Sequence, residues 1–373
     1  MNVKKMLILT AVALVAAVLF SVPAAAAPET AASSAILIDG DTGAVLYSQN
    51  ADASALIAST TKIMTAVVVL ENCDLQHLVE IPAEATGIEG SSIYLLPGEC
   101  LTVEALLYGM MLHSGNDAAV ALAIACSGSV EAFVARMNEK AREWGLRDTS
   151  FANPNGLDSE ENHSTAADLA RMAMYALRDE RFLEIVSTKN IVIGGRHLSN
   201  HNKLLWSMDG AIGVKTGYTK AAGRILVSAA EQKGRRLIAV TINDGNDWHD
   251  HKSLYAYGFE QYTVTEAVSK GDVVAQIPCL DGGTLPLLAG EGLSWAMAQG
   301  EAVRMKISFP KLSYGQEETG SPAGWAAVCL GERCIATIPV CWGKGETFYE
   351  RTNTKDHSLP GYSLPACSGA SAG

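Results

Sequence analysis

Past an apolar opening, the chain switches between strand-like and helix-like patterning. Residues 35–50, AILIDGDTGAVLYSQN, are two apolar runs around a Gly/Asp turn and predict a β-hairpin. Residues 56–71, LIASTTKIMTAVVVLE, end in an apolar run that predicts a helix. A mostly helical middle follows. Residues 102–126, TVEALLYGMMLHSGNDAAVALAIAC, are apolar on nearly every side, with a polar break at His113–Asp117. Residues 130–145, VEAFVARMNEKAREWG, are amphipathic and stop at a glycine. NPNGLD at 153–158 is turn chemistry, and STAADLARMAMYAL at 164–177 opens with Ser164 or Thr165 as cap and Asp168 in the first turn. The pattern then becomes β-rich at 211–219, 223–231 and 235–244, the last two joined by a short polar turn. A hairpin in front, helices between and strands behind predict an α+β domain. Its single antiparallel sheet is built from both ends, with helices packed on it.

That domain ends near LYAYGFEQY, giving expected bounds of 28–262. Residues 263–349 hold short strands at turn spacing (DVVAQIP, TLPLLA, VRMKISF, WAAVCL, CIATIPV) and predict a small C-terminal all-β domain. Residues 350–373 are polar and rich in Gly, Ser and Pro, and read as a flexible tail. Residues 1–27 read as a signal peptide: Lys4 and Lys5 are the basic start, MLILTAVALVAAVLF the apolar centre, and PAAAA the small residues for cleavage. No later stretch is long and apolar enough to span a membrane.

The chain has 373 residues, 48% hydrophobic and 18% charged, enough for a sizeable core. Without Lys4 and Lys5, its 28 basic residues fall to 26 against 40 acidic ones, a net charge of −14 that argues against a nucleic-acid partner. Export to the cell envelope permits disulfides among the eight cysteines. Cys329 and Cys334 flank LGER, a hairpin turn that can set them face to face; buried or idle thiols fit as well. The cysteine spacing matches no zinc pattern.

Three segments carry candidate chemistry. Ser59 and Lys62 stand at i and i+3, on one face of a helix start. A desolvated lysine there loses proton affinity and can take the proton of the serine; an N-cap serine beside an exposed lysine fits the same four residues. Ser114, Gly115 and Asn116 interrupt an apolar helix, as a shared polar site or as a plain kink. Lys215, Thr216 and Gly217 lie in a strand. On an edge lining a cleft, the lysine binds an anion and the glycine admits another backbone; otherwise it is an edge lysine that blocks aggregation.

Ser-x-x-Lys, then Ser-x-Asn, then Lys-Thr-Gly is the pattern of β-lactamases and penicillin-binding proteins. From about residue 30 to 345 the chain resembles the low-molecular-mass penicillin-binding proteins, the serine-type D-alanyl-D-alanine carboxypeptidases. LIASTTKIMTA, LLYGMMLHSGNDAAVALA, FVARMNEKAREWGLRDTSFANPNGLD, HSTAADLARMA and GVKTGYTKAAGRILVSAA all resemble that family's blocks. The resemblance implies a β-lactamase/penicillin-binding-protein-like fold and removal of the terminal D-alanine from peptidoglycan pentapeptides. It implies Ser59 as acylated nucleophile, Lys62 as its base, Ser114 as proton relay and Asn116 as a hold on the substrate amide. Lys215 and Thr216 would bind the terminal carboxylate, and the N–H groups of Ser59 and Tyr218, beside Gly217, would form the oxyanion hole. Expected partners are peptidoglycan stem peptides, lipid-linked precursors and β-lactam antibiotics, with no metal or organic cofactor.

Two departures stand out. Many relatives carry an arginine after the last strand that helps bind the carboxylate; NDGNDWHDHKSL at 243–254 has none, and its His249 and His251 read as structural or surface residues. Many relatives also end in an amphipathic membrane-binding helix. The tail here has no apolar periodicity, so no C-terminal membrane helix is expected. The rival enzyme is a serine β-lactamase, which needs a glutamate to hydrolyse its acyl-enzyme quickly. Glu160 and Glu161 lie in a loop, but their surroundings, DSEENHSTAADL, do not resemble that family's loop. A non-catalytic wall-binding protein is a third reading, at odds with a full set of catalytic residues.

Overall fold

The computed structural model describes residues 26–279, 283–308 and 317–344. The export signal expected at 1–27 lies outside them but for its last two residues, and the tail expected at 350–373 lies wholly outside. The opening hairpin forms as β1 (Ser34–Asp39) and β2 (Val45–Gln49). Three late strands, β3 (Ala211–Thr219), β4 (Gly223–Gln232) and β5 (Arg235–Ile242), complete an antiparallel sheet in the order β2-β1-β5-β4-β3. The two ends of the domain meet at β1 and β5, with Ser34 opposite Ile242 and Asp39 opposite Leu237. β3, which carries Lys215, is an edge strand.

Strand alternation divides the sheet residues between two cores. Ile36, Ile38, Val227 and Val240 enter one; Leu37, Leu226, Leu237 and Ala239 enter the other. With both faces covered, β1 is buried along its whole length and reads as a continuous apolar run. The larger core is filled from a helical layer: α1 (Lys62–Asn72), α2 (Val103–Leu112), α3 (Asn116–Ser127), α4 (Val130–Glu143), α5 (Ala166–Ala176) and α6 (Glu180–Ser187). The opposite face is covered by α7 (Asp247–Gln261) through Leu254 and Tyr255.

His251 of α7 is buried under the sheet. Its Nδ1 lies 2.6 Å from Ser228 Oγ and its Nε2 3.0 Å from Thr241 Oγ1. Burial pushes its pKa down to about 3, so it is a neutral strut, while His249 is exposed. Among the described residues, no single helix is long and apolar enough to cross a membrane.

This first compact unit runs to Thr265 and takes in Trp295–Gly300. A second unit comprises Glu266–Ser294 and the chain from Glu301 onward. Its described strands are β6 (Val273–Pro278), β7 (Thr284–Ala289), β8 (Val303–Ser308), β9 (Pro322–Leu330) and β10 (Arg333–Trp342), in the sheet order β6-β7-β10-β9-β8. Ile277, Leu287, Val328 and Val340 are in its core. The LGER turn pairs Leu330 with Arg333 and sets Cys329 opposite Cys334, with Sγ atoms 2.8 Å apart.

Candidate active site

The helix expected from Ser59 onward begins later. A short 3-10 turn spans Ala58–Thr61, and α1 opens at Lys62. Ala58 adopts φ 45°, a left-handed conformation that alanine disfavours. Two glycines press on this turn. A Cβ on Gly156, at φ 87°, would stand 1.9 Å from the Ala58 carbonyl oxygen. One on Gly217 of β3 would stand 3.4 Å from the Ser59 nitrogen. Glycine at both positions lets two backbones close on the turn that holds Ser59.

Lys62 is fully buried, not a solvated surface charge. Its Nζ lies 3.0 Å from Ser59 Oγ and 2.7 Å from Asn116 Oδ1, and it donates to the Asn155 carbonyl. Asn116 opens α3 and donates from Nδ2 to the Glu89 carbonyl at 2.6 Å. Asn155 comes from the NPNGLD turn. Asn153 Oδ1 accepts the Gly156 N–H at 2.7 Å within that turn, and Thr65 Oγ1 of α1 donates to the Pro154 carbonyl at 2.6 Å.

The long apolar helix breaks at Ser114, which has φ 63° and lies between the end of α2 and the start of α3. Asp117, in the first turn of α3, ties down the loop in front. It accepts from Ser92 Oγ at 2.6 Å and from the Leu95 N–H at 3.1 Å.

Ser59, Ser114, Thr216, Gly217 and Tyr218 line one cleft of about 590 Å³. Lys62, Asn116 and Lys215 stand buried behind its wall. The structure thus brings together all eight residues expected from the three motifs. A larger opening of about 710 Å³, lined among others by Ser48, Asn50 and Asp52, contains none of them. Size does not locate chemistry here; convergent titratable groups do.

Burial drives the Lys62 pKa well below the usual lysine value, and the nearby Lys215 ammonium lowers it further; the Asp117 carboxylate acts in the opposite direction. Burial pushes Lys215 down to about 7, and its Nζ donates to the Thr216 carbonyl at 2.9 Å. His201 on the cleft wall is pushed to about 4, first by burial and then by Lys215 and His113.

The sequence did not single out His201, Lys203 or Arg224, which also line the cleft, nor the Asn155 carbonyl. The density of turn residues in NPNGLD was the one available signal. Glu160 and Glu161 are exposed and line no part of the cleft.

A family model described as D-alanyl-D-alanine carboxypeptidase (peptidase family S11) matches residues 21–246. The D-alanyl-D-alanine carboxypeptidase DacF of Bacillus subtilis (strain 168) is 36% identical over 310 residues, 77% of this chain and 79% of that protein. Among solved structures, penicillin binding protein 5 from Haemophilus influenzae superposes with a TM-score of 0.73 at 28% identity, covering 85% of this chain and 98% of that one. The carboxypeptidase DacD from Francisella tularensis gives 0.72 at 26% identity, with 86% and 94% covered. Motif residues, fold and relatives agree, and the chain belongs to the D-alanyl-D-alanine carboxypeptidase family.

Proposed function

We infer that the chain is a serine-type D-alanyl-D-alanine carboxypeptidase that removes the terminal D-alanine from peptidoglycan pentapeptides through an acyl-enzyme on Ser59, and that penicillins acylate the same serine. The environment of the Lys62 nitrogen carries this reading. A neutral amine has two N–H donors and one lone pair. The Asn116 and Asn155 oxygens can only accept, so they take both donors. The lone pair is left for the third neighbour, the Ser59 hydroxyl. Burial and the Lys215 charge favour that uncharged state.

In the forward step Ser59 Oγ attacks the carbonyl carbon of the penultimate D-alanine while its proton passes to Lys62. The developing oxyanion meets the N–H groups of Ser59 and Tyr218. Strand register supports the second donor. The Arg224 carbonyl accepts from Asp244, on the side away from β3. Tyr218, paired with Arg224, therefore turns its own N–H out from the sheet edge. The C–N bond then breaks as the proton held by Lys62 passes through the Ser114 hydroxyl to the leaving amine, which leaves Ser114 a hydroxyl and Lys62 a neutral base again. Water enters to hydrolyse the ester and regenerate Ser59. Asn116 keeps one Nδ2–H for the substrate amide, and Lys215 and Thr216 take its carboxylate.

Among the described residues, no glutamate lines the cleft in the place of the base that speeds deacylation in a β-lactamase, and a long-lived penicilloyl-enzyme is expected. The signal-like residues 1–27 support export to the cell envelope, where stem peptides and lipid-linked precursors lie. Trimming cross-link donors there would place the enzyme in peptidoglycan biosynthesis and, through it, cell shape.

The test is mass spectrometry after penicillin treatment, with D-alanine release from a diacylated Lys-D-Ala-D-Ala peptide. The reading predicts one adduct on the peptide containing Ser59, and D-alanine release abolished in Ser59→Ala. An adduct retained in Ser59→Ala overturns it.

A further inference from the structure

The substrate ends in a carboxylate, and residues 243–254 offer no arginine to meet it. The cleft nevertheless contains a guanidinium. Arg224, near the start of β4, stands directly across from Tyr218 on β3, so the two side chains leave the same face of the sheet. Thr216, two residues along β3, shares that face. All three line the cleft, and the Arg224 side chain is 45% exposed.

The guanidinium is aimed from behind. Asp247, the buried first residue of α7, accepts Nε at 3.1 Å and Nη2 at 2.7 Å. The Trp248 ring lies 5.8 Å from the guanidinium carbon. This side-on pairing occupies the Nε/Nη2 edge. Nη1 takes no part in it, so the Nη1/Nη2 edge is left for a second carboxylate.

The other cation assigned to the substrate is less constant. Lys215 is buried and titrates at about 7, so near neutral pH its charge is only partly present. Arginine keeps its charge at any physiological pH and matches a carboxylate with two parallel donors.

We propose that Arg224, oriented by Asp247 and Trp248, grips the terminal carboxylate of the substrate together with Thr216 and Lys215. This deepens the carboxypeptidase reading and rests on it. The alternative is a salt bridge that merely ties β4 to α7, which would treat charged and uncharged substrates alike.

The experiment compares kcat/KM for two peptides, diacetyl-Lys-D-Ala-D-Ala and the same peptide ending in an amide. The enzymes are the parent, Arg224→Met, Arg224→Lys and Asp247→Asn. Arg224→Met lowers the acid-to-amide ratio about 10- to 100-fold, mostly through KM, and Arg224→Lys restores part of it. Asp247→Asn lowers the ratio less, because the guanidinium remains but is no longer aimed; it also serves if Arg224→Met fails to fold. Equal ratios in the parent and the folded variants overturn the assignment of Arg224. A parent that releases neither D-alanine from the acid nor D-alaninamide from the amide, and forms no penicillin adduct, overturns the carboxypeptidase reading itself, and this inference with it.

Discussion

Lys62→Met removes the proton acceptor while keeping the length of the side chain. Two terms decide whether the variant folds. Asn116 Oδ1 and the Asn155 carbonyl both lose a donor, and each stranded buried acceptor costs about 1–3 kcal/mol. In the other direction, a buried amine held away from water is replaced by an apolar side chain, which relieves a desolvation cost of a few kcal/mol. The terms nearly cancel, leaving a stability change within about 2 kcal/mol and a folded protein.

Catalysis has no such offset. A base positioned 3.0 Å from the nucleophile contributes a factor of about 10² to 10⁴. The assay is the second-order rate of acylation by penicillin, read by intact mass, beside a thermal melt. The rate should fall at least about 100-fold with the melt shifted by only a few degrees. Lys62→Arg should be as slow, because a guanidinium does not give up its proton. A folded Lys62→Met acylated within about tenfold of the parent rate refutes Lys62 as the base.

The same geometry fixes two pH profiles and the behaviour of three more variants. Acylation should fall as pH drops through the lowered pKa of Lys62, and KM for a carboxylate-bearing peptide should rise as pH passes about 7 and Lys215 loses its proton, both read from pH–rate profiles. Ser114→Ala should acylate with penicillin faster than it turns over peptide, since a strained lactam keeps its leaving nitrogen attached; equal losses in both rates would contradict the relay. Lys215→Met should weaken peptide binding yet raise the melting temperature at neutral pH. The unfolded chain holds the extra proton between about 7 and 10.5, so the cost of burying Lys215 is fully present below that window and gone above it. Its ceiling is roughly 5 kcal/mol, at about 1.4 kcal/mol per pH unit. Gly156→Ala should destabilise by more than about 2 kcal/mol and slow acylation, because its Cβ would enter the Ala58 carbonyl at a backbone angle that alanine disfavours; a normal melt would contradict that contact.

The three motifs were legible because their chemistry restricts residue type. Only a lysine can be a buried amine, and glycine at 217 keeps β3 tight against the Ser59 turn, where a Cβ would stand 3.3 Å from the Ile57 carbonyl oxygen. The sheet was legible too, since β-rich runs at both ends of the domain bracket the helices; which residue faces which core was not, because both faces of β4 and β5 are buried and their buried runs are almost wholly apolar. What stayed hidden depends on backbone or on distant partners. The Asn155 carbonyl that orients Lys62 belongs to an atom every residue has. Ala58 gives no hint of its left-handed angle, which close packing imposes on it. Arg224 reads as an ordinary exposed strand residue until Asp247, 23 positions on, turns it toward the cleft.

The claim that an uncharged amine accepts the Ser59 proton is tested most directly by titrating Lys62 itself. Protein labelled with ¹³C at lysine Cε can be followed by NMR against pH, with the signal assigned by its loss in Lys62→Met. A midpoint well below the usual 10.5 is predicted. A midpoint at or above 10.5 would leave Lys62 an ammonium with no lone pair to offer, and would contradict the mechanism.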